Sequence, residues 1–325
     1  MPLDIGRKAK PLVLAALAFI AAQALAQSFP ARPVKLLVGV PPGGPTDIVA
    51  RAIAPALGDA LGQPIVVENR PGASGVIATD AVAKALPDGH TLAFIYITHA
   101  TNPTLLAKLP YDTLRDFAPV SLVGRQSMVL LAHPAFAAGS VHELLAAAKA
   151  APGKIDYGAS DAGSAPHLAA ELFKMMAGID LTPVYYKGTA PALTDLIAGQ
   201  IPVMFVSNIS ALPHVKAGKL KALGVTGAQR TALAPEIPTI DESGLAGYEA
   251  YGWYGIAAPA RTPGAVIARL HAEVAKIAQN PAMRSRLAAQ GLELVGNSPA
   301  EFDAFIRHEI AKWAAVLKAA GIKPQ

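Results

Sequence analysis

Two stretches of this chain carry residue types suited to holding an anion. Residues 34–51 read Val-Lys-Leu-Leu-Val-Gly-Val-Pro-Pro-Gly-Gly-Pro-Thr-Asp-Ile-Val-Ala-Arg, which is a buried strand, a proline and glycine loop, and the start of an amphipathic helix. The first N–H groups of a helix have no internal partner and its dipole adds partial positive charge there, so the expected guest is a carboxylate or phosphate. Thr46 or Asp47 is placed to cap the helix, while Pro41, Pro42 and Pro45 stiffen the approach. Taken alone, the segment is equally an ordinary strand-to-helix turn with glycines for steric reasons. The second stretch repeats the order: Lys154-Ile-Asp-Tyr-Gly-Ala-Ser, then Asp-Ala-Gly-Ser-Ala-Pro, then His167-Leu-Ala-Ala-Glu-Leu-Phe-Lys.

Other chemistry finds less support. Gly158-Ala-Ser-Asp-Ala is close to a Gly-x-Ser-x-Gly nucleophile elbow, but its fifth residue is alanine and no Asp-then-His order follows. Acylation of Ser160 by an activated ester would be needed to sustain a hydrolase. His142-Glu143 opens a His-Glu-Leu-Leu-Ala run without the second histidine of a zinc-protease helix, and His167 with Glu171 is only a pair. No metal and no cofactor is expected. His99 and His167 are the histidines nearest the proposed anion site; a histidine in a first helical turn is about as often structural as ligand-contacting. Asp47 either meets a ligand amine or hydroxyl or caps its helix, and capping is the better expectation. Lys187 and Arg70 read more readily as solvated than as cleft residues. Trp253 and Tyr254 read as packing at a chain crossing, with an aromatic wall for a ligand as the alternative.

The elements that must position these residues alternate along the chain. Strand-like runs lie at 34–40, 65–68, 91–97, 120–122, 129–132, 157–159, 203–206 and 222–226. Helical patterns fall at 46–61, 74–85, 141–150, 166–177, 190–198, 263–278 and 299–319. Such alternation predicts parallel α/β layers with ligands at strand carboxyl ends. Gln126-Ser-Met-Val-Leu-Leu-Ala-His-Pro could carry the chain from one lobe to the other, and Tyr251-Gly-Trp-Tyr-Gly-Ile-Ala-Ala-Pro could bring it back, which would make a hinge.

The first 26 residues stand apart from the fold. Arg7, Lys8 and Lys10 precede an apolar run from Pro11 to Ala22, and Ala24-Leu25-Ala26 offers a small-x-small cleavage site, the pattern of a secretory signal peptide. The run is shorter than the roughly 20 residues that span a bilayer. With no cysteine among 325 residues, disulfides, thiolate metal sites and a cysteine lipid anchor are excluded. The formal charge of +5 is scattered rather than blocked, so nucleic-acid binding has little support and a small anionic ligand fits better. A mature chain of about 300 residues exceeds a typical single core, and two lobes are the default.

Further segments fix a resemblance over essentially the whole mature chain. They are Pro-Pro-Gly-Gly-Pro-Thr-Asp-Ile at 41–48, Val-Glu-Asn-Arg-Pro-Gly-Ala-Ser-Gly at 67–75, Pro-Asp-Gly-His-Thr-Leu at 87–92, Asn102-Pro, Leu109-Pro-Tyr-Asp, Arg115-Asp-Phe-Ala-Pro-Val, Pro152-Gly-Lys, His167-Leu-Ala, Tyr186-Lys-Gly, Leu193-Thr-Asp-Leu-Ile-Ala-Gly-Gln, Ala217-Gly-Lys-Leu-Lys-Ala-Leu and Lys312-Trp. In this order and spacing the chain resembles the tripartite tricarboxylate transporter substrate-binding proteins, the Bug family of periplasmic receptors. The resemblance implies an α/β, type II, Venus-flytrap fold. Each lobe would be a mainly parallel sheet flanked by helices, with two crossover strands as hinge: lobe 1 from residues 27–127 plus 252–325, lobe 2 from 128–251.

It also implies a periplasmic receptor, not an enzyme, for a small carboxylate, with the classes left open: a di- or tricarboxylate, an acidic amino acid or an aromatic acid. Delivery would be to a membrane permease of large and small subunits; reporting to a sensor kinase is the alternative, and a monomer is expected. By position, the family's ligand-binding residues fall on Pro42, Gly43, Gly44, Thr46 and Asp47; on Ser74, Thr98 and His99; on Ser160, Ala162, Gly163, Ser164 and His167; and on Ser207 and Asn208. Neither 39–48 nor 158–168 contains Lys or Arg, so backbone dipoles, hydroxyls and water must supply the charge match. Val40, His90 and Ser164-Ala-Pro depart from the family's common residues, which bears on the identity of the ligand.

Overall fold

The computed structural model describes residues 29–159 and 163–324. The expected signal segment at 1–26, and Ser160 and Ala162 of the second loop, lie outside the described residues. In the first lobe, β1 (Val34–Val38) pairs in parallel with β2 (Ile65–Asn69) on one side and β3 (Thr91–Tyr96) on the other. Val34, Leu36, Leu37 and Val38 are all buried, as expected of a parallel strand covered by helices on both faces. Helix α1 (Pro45–Leu61) buries Val49, Ile53, Leu57 and Leu61, a four-residue spacing that puts one stripe on the sheet. It stops at Gly62, whose φ of 76° is a left-handed C-terminal cap. A short turn at Ala73–Gly75 leads into α2 (Val76–Ala83), and α3 (Thr98–Leu105) follows β3.

The chain then crosses to the second lobe in one 16-residue strand, β4 (Phe117–Ala132). The sequence suggested two strands, 120–122 and 129–132, because polar Arg125, Gln126 and Ser127 interrupt the apolar pattern. Their backbone nevertheless stays paired to the returning strand, and Arg125 reaches Glu293 and lies over the Tyr251 ring. The second lobe holds α4 (Val141–Ala150), β5 (Asp156–Ala159), α5 (Ala165–Ala177), β6 (Thr182–Tyr185), α6 (Thr189–Ile197), β7 (Val203–Ser207), α7 (Asn208–Lys216) and β8 (Lys221–Val225). β5 is parallel to β6 and β7, while the far half of β4 runs antiparallel to β7 and β8.

Strand β9 (Tyr251–Pro259) returns to the first lobe, antiparallel to both β3 and β4. Antiparallel ladders therefore surround the two crossing strands, because each enters its lobe from the opposite end. Helices α8 (Gly264–Gln279) and α9 (Pro281–Ala288), strand β10 (Glu293–Leu294) and helix α10 (Pro299–Ala319) complete the chain. α10 opens with a reciprocal capping box between Ser298 and Glu301. Its buried Glu309 accepts from the indole N–H of Trp253 at 2.9 Å and of Trp313 at 2.7 Å, fastening β9 beside the crossing. Among the described residues no helix is long and apolar enough to span a membrane.

Candidate functional site

In the first lobe the loop after β1 ends at Gly44, which is the N-cap of α1 and provides no side chain. Neither Thr46 nor Asp47 is the cap, contrary to the sequence expectation. Asp47 works instead from the third helical position: its carboxylate accepts from the Gly43 N–H at 2.9 Å, from Arg51 Nε at 3.0 Å and from Asn69 Nδ2 at 2.8 Å. Asn69 also donates to the Val40 carbonyl, and Arg51 donates to Asn69 Oδ1. Asp47 is only 2% exposed. Burial opposes its charge, but the hydrogen bonds from Arg51, Gly43 and Asn69 outweigh that and hold its pKa below the ordinary aspartate value.

The second lobe repeats the arrangement with different chemistry. Ser164 is the N-cap of α5 and its hydroxyl accepts from the His167 N–H. His167, also at the third helical position, accepts at Nδ1 from the Gly163 N–H at 3.2 Å, and its Nε2 lies 3.2 Å from the Tyr185 hydroxyl. In both lobes the glycine just before the cap has a left-handed backbone, φ 89° at Gly43 and 78° at Gly163, a conformation that favours glycine. In both, a side chain one turn inside the helix holds that glycine's N–H. The anchor is an ionised aspartate in the first lobe and a histidine in the second.

Helix α3 links the loops. Asn102 donates to the Ser74 carbonyl at 3.1 Å, and a Cβ on Gly163 would lie 2.3 Å from Leu105 Cδ1 and 3.7 Å from Thr101 Oγ1. The second-lobe turn thus rests on a first-lobe helix. Gly39, at the end of β1, has room for no side chain: its Cβ would meet Gly75 Cα at 2.6 Å. Ala73 and Ser74 both hold positive φ, 47° and 54°, a strained pair of order 1–2 kcal/mol per residue. The exposed Ser74 is therefore presented on a rigid turn.

The remaining candidate residues are placed as follows. Pro42 and Gly43 are exposed, and Thr46 is buried. Thr98, expected at a strand end, is the half-buried first residue of α3, with its neighbour His99 facing the interior. The His99 ring packs against Tyr111 and Phe117 and is 4% exposed, and burial pushes its pKa down to about 4. Ser207 is the N-cap residue of α7 and its hydroxyl donates to Ser210. Asn208 is buried and donates to Ser127 and Thr231. It lines a separate cavity of about 360 Å³ with Arg125, Arg230 and Arg284, where Arg125 and Arg230 already pair with Glu293 and Glu242. Lys187 is exposed and Arg70 pairs with Glu68. Trp253 packs on Phe302 and Phe305, and Tyr254 stacks on Phe94. Arg51, Asn69, Asn102 and Tyr185 support the loops without having been named as site residues from the sequence; Asn69 and Asn102 lay within matched segments.

The model of the tripartite tricarboxylate transporter family receptor matches residues 49–322. The chain belongs to this receptor family. Protein BugT of Bordetella pertussis is 37% identical over 313 residues, 96% of each chain. Rpa4515 of R. palustris, solved with adipate, superposes with a TM-score of 0.80 at 37% identity, covering 91% of this chain and 100% of that one. MatC of Rhodopseudomonas palustris, solved with bound malate, gives 0.75 at 33% identity, covering 89% and 100%. The receptor is accordingly a two-lobed periplasmic solute-binding protein.

In this receptor the two N-termini are electrostatically unequal. Asp47 places a negative charge in the first turn of α1, where it stabilises the helix by about 0.3–1 kcal/mol but offsets attraction for an incoming anion. His167 adds no negative charge to the first turn of α5. Among the described residues no group of three or more potential metal ligands is assembled.

Proposed function

We propose that the receptor captures a small dicarboxylate between the N-termini of α1 and α5 and delivers it to a membrane permease of large and small subunits. The observation that carries this reading is the matched pair of loops, each with a left-handed glycine whose N–H is fixed by the third helical residue. Such fixing holds the neighbouring amides in place before the ligand arrives, which lowers the ordering cost of binding. Adipate and malate in related proteins support the ligand class. The ligand is held without being transformed: Asp47 and His167 accept backbone N–H bonds and are engaged as anchors, not as free acid or base. Lobe 1 comprises 27–127 and 252–325, lobe 2 comprises 128–251, and export to the periplasm follows removal of residues 1–26.

A thermal-shift series with adipate, malate, citrate, aspartate and benzoate tests the ligand class. At 100 times Kd a true ligand adds about 2.7 kcal/mol to stability, a melting rise of several degrees. No shift with any carboxylate, against a shift with a sugar or a cation, would sink the reading. Uptake of the identified acid by cells lacking the receptor tests delivery; unchanged uptake with altered transcription would favour a sensor role.

A further inference from the structure

The two loop anchors differ in one respect with a functional consequence: aspartate accepts a hydrogen bond throughout the physiological range, whereas histidine accepts only while its ring is neutral. His167 Nδ1 receives the Gly163 N–H at 3.2 Å. The lone pair must therefore be on Nδ1, and the proton of the neutral ring on Nε2, directed at the Tyr185 hydroxyl 3.2 Å away. The ring is fully buried. From its own helix it faces Glu171, whose carboxylate is 4.0 Å from Nε2, with Lys174 pairing to that same carboxylate at 3.0 Å. From β5 the Tyr157 hydroxyl also binds Glu171, and from β6 Tyr185 closes the site. Glu171 is thus already occupied by a cation and a hydroxyl.

We infer that His167 is a positioning residue whose protonation releases the Gly163 turn, so that acid lowers the receptor's affinity for its anionic ligand. An imidazolium carries N–H on both nitrogens, so Nδ1–H would oppose the Gly163 N–H and the bond is lost. The new charge also lies in the first turn of a helix, where the dipole disfavours a cation. Gly163 is the residue that seats the second loop on Leu105 and Thr101; once unpinned, its turn no longer holds the α5 amides ready. Burial and Lys174 disfavour the charged ring while Glu171 favours it, and the balance lowers the pKa, so the switch lies on the acid side of the ordinary histidine range. The sign separates this role from direct contact. A His167 that touched the ligand carboxylate would bind it more tightly when protonated; a His167 that holds the loop gives weaker binding.

The inference rests on the carboxylate-receptor reading, but its first test needs no ligand. In ¹⁵N-labelled full-length mature receptor, the Gly163 amide should shift and lose exchange protection, after correction for intrinsic rates, as pH is lowered from about 7.5 through and below the ordinary histidine range, down to the lowest pH at which the receptor stays folded. His167→Asn retains an acceptor oxygen near the Nδ1 position and should keep Gly163 protected across that range, whereas His167→Phe should leave it unprotected throughout. Using adipate as probe, the wild-type affinity relative to that of His167→Asn should fall about fivefold over the same interval, the worth of one neutral hydrogen bond. That ratio cancels the titration of adipate itself. A Gly163 amide indifferent to pH, or relative affinity that rises in acid, overturns the inference. Absence of adipate binding at any pH counts against the ligand class, and the amide titration still decides the latch.

Discussion

At the residue scale, the groups that could do chemistry are divided between anchoring and packing. Asp47 uses its carboxylate on Gly43, Arg51 and Asn69, so the helix cap expected from the sequence is replaced by support of the loop from the third helical position. His99 and His167 looked alike in the sequence, yet one lies among Tyr111 and Phe117 and the other beneath the second loop. His99 carries a measurable consequence. Its folded pKa of about 4 lies below the unfolded value near 6.5. The unfolded chain takes up that proton first, so the stability contribution is intact above pH 6.5 and is lost as pH falls toward 4. Urea titrations at the two ends should differ by about 3 kcal/mol more in wild type than in His99→Leu. Equal acid losses in both proteins would mean that His99 is protonated in the native state without cost.

At the element scale, α1 and α5 show how the same sequence device is written twice with different residues. Gly-Gly-Pro-Thr-Asp and Gly-Ser-Ala-Pro-His both place a glycine before the cap and an acceptor three residues beyond the cap. Periodicity identified both helices, because their buried stripes repeat every turn. It missed three helices, α3, α7 and α9; α3 and α7 contain internal prolines, Pro103 and Pro213, and mixed polar residues, and their placement depends on packing against β3 and β7 rather than on propensity. α3 is the most consequential omission, since Asn102 and Leu105 make it the shelf for Ser74 and Gly163. Among the glycines of the described residues, the closest approach to another stretch of backbone is between β1 and the turn before α2. Gly39→Ala would set a methyl against Gly75 Cα, where backbone must move. Overpacking of this kind should cost roughly 1–3 kcal/mol and reduce ligand affinity, whereas Gly44→Ala, with open space around its Cβ, should leave stability nearly unchanged. Equal melting temperatures for the two variants would show that the junction yields without strain.

At the scale of the whole molecule, β4 and β9 lie side by side where the chain passes between lobes, with Gln126 opposite Gly252 and Ser127 opposite Tyr251. Small dihedral changes in such a pair allow rotation of one lobe against the other. Around it, Trp253 and Glu309 fasten β9 to α10, so rotation is confined to the short paired segment. Ligand capture should therefore appear as a decrease in radius of gyration by small-angle scattering at saturating adipate, with no change in helix content by circular dichroism. An unchanged radius alongside demonstrated binding would place the ligand on one lobe only.

The sequence by itself determined the alternation of strands and helices, the two proline- and glycine-rich turns, the absence of cysteine chemistry and the family. These are local or compositional properties: hydrophobic period, turn residues and motif order all act over a few neighbouring positions. It could not determine that β4 is continuous, that Asn208 faces the arginine-lined cavity, or that Asp47 and His167 support glycine amides. Those outcomes depend on partners distant in the chain, Asn69 for Asp47, Tyr185 for His167 and Thr231 for Asn208. A side chain's role is set by whichever donors and acceptors the fold brings within about 3 Å, and only the tertiary structure fixes that list.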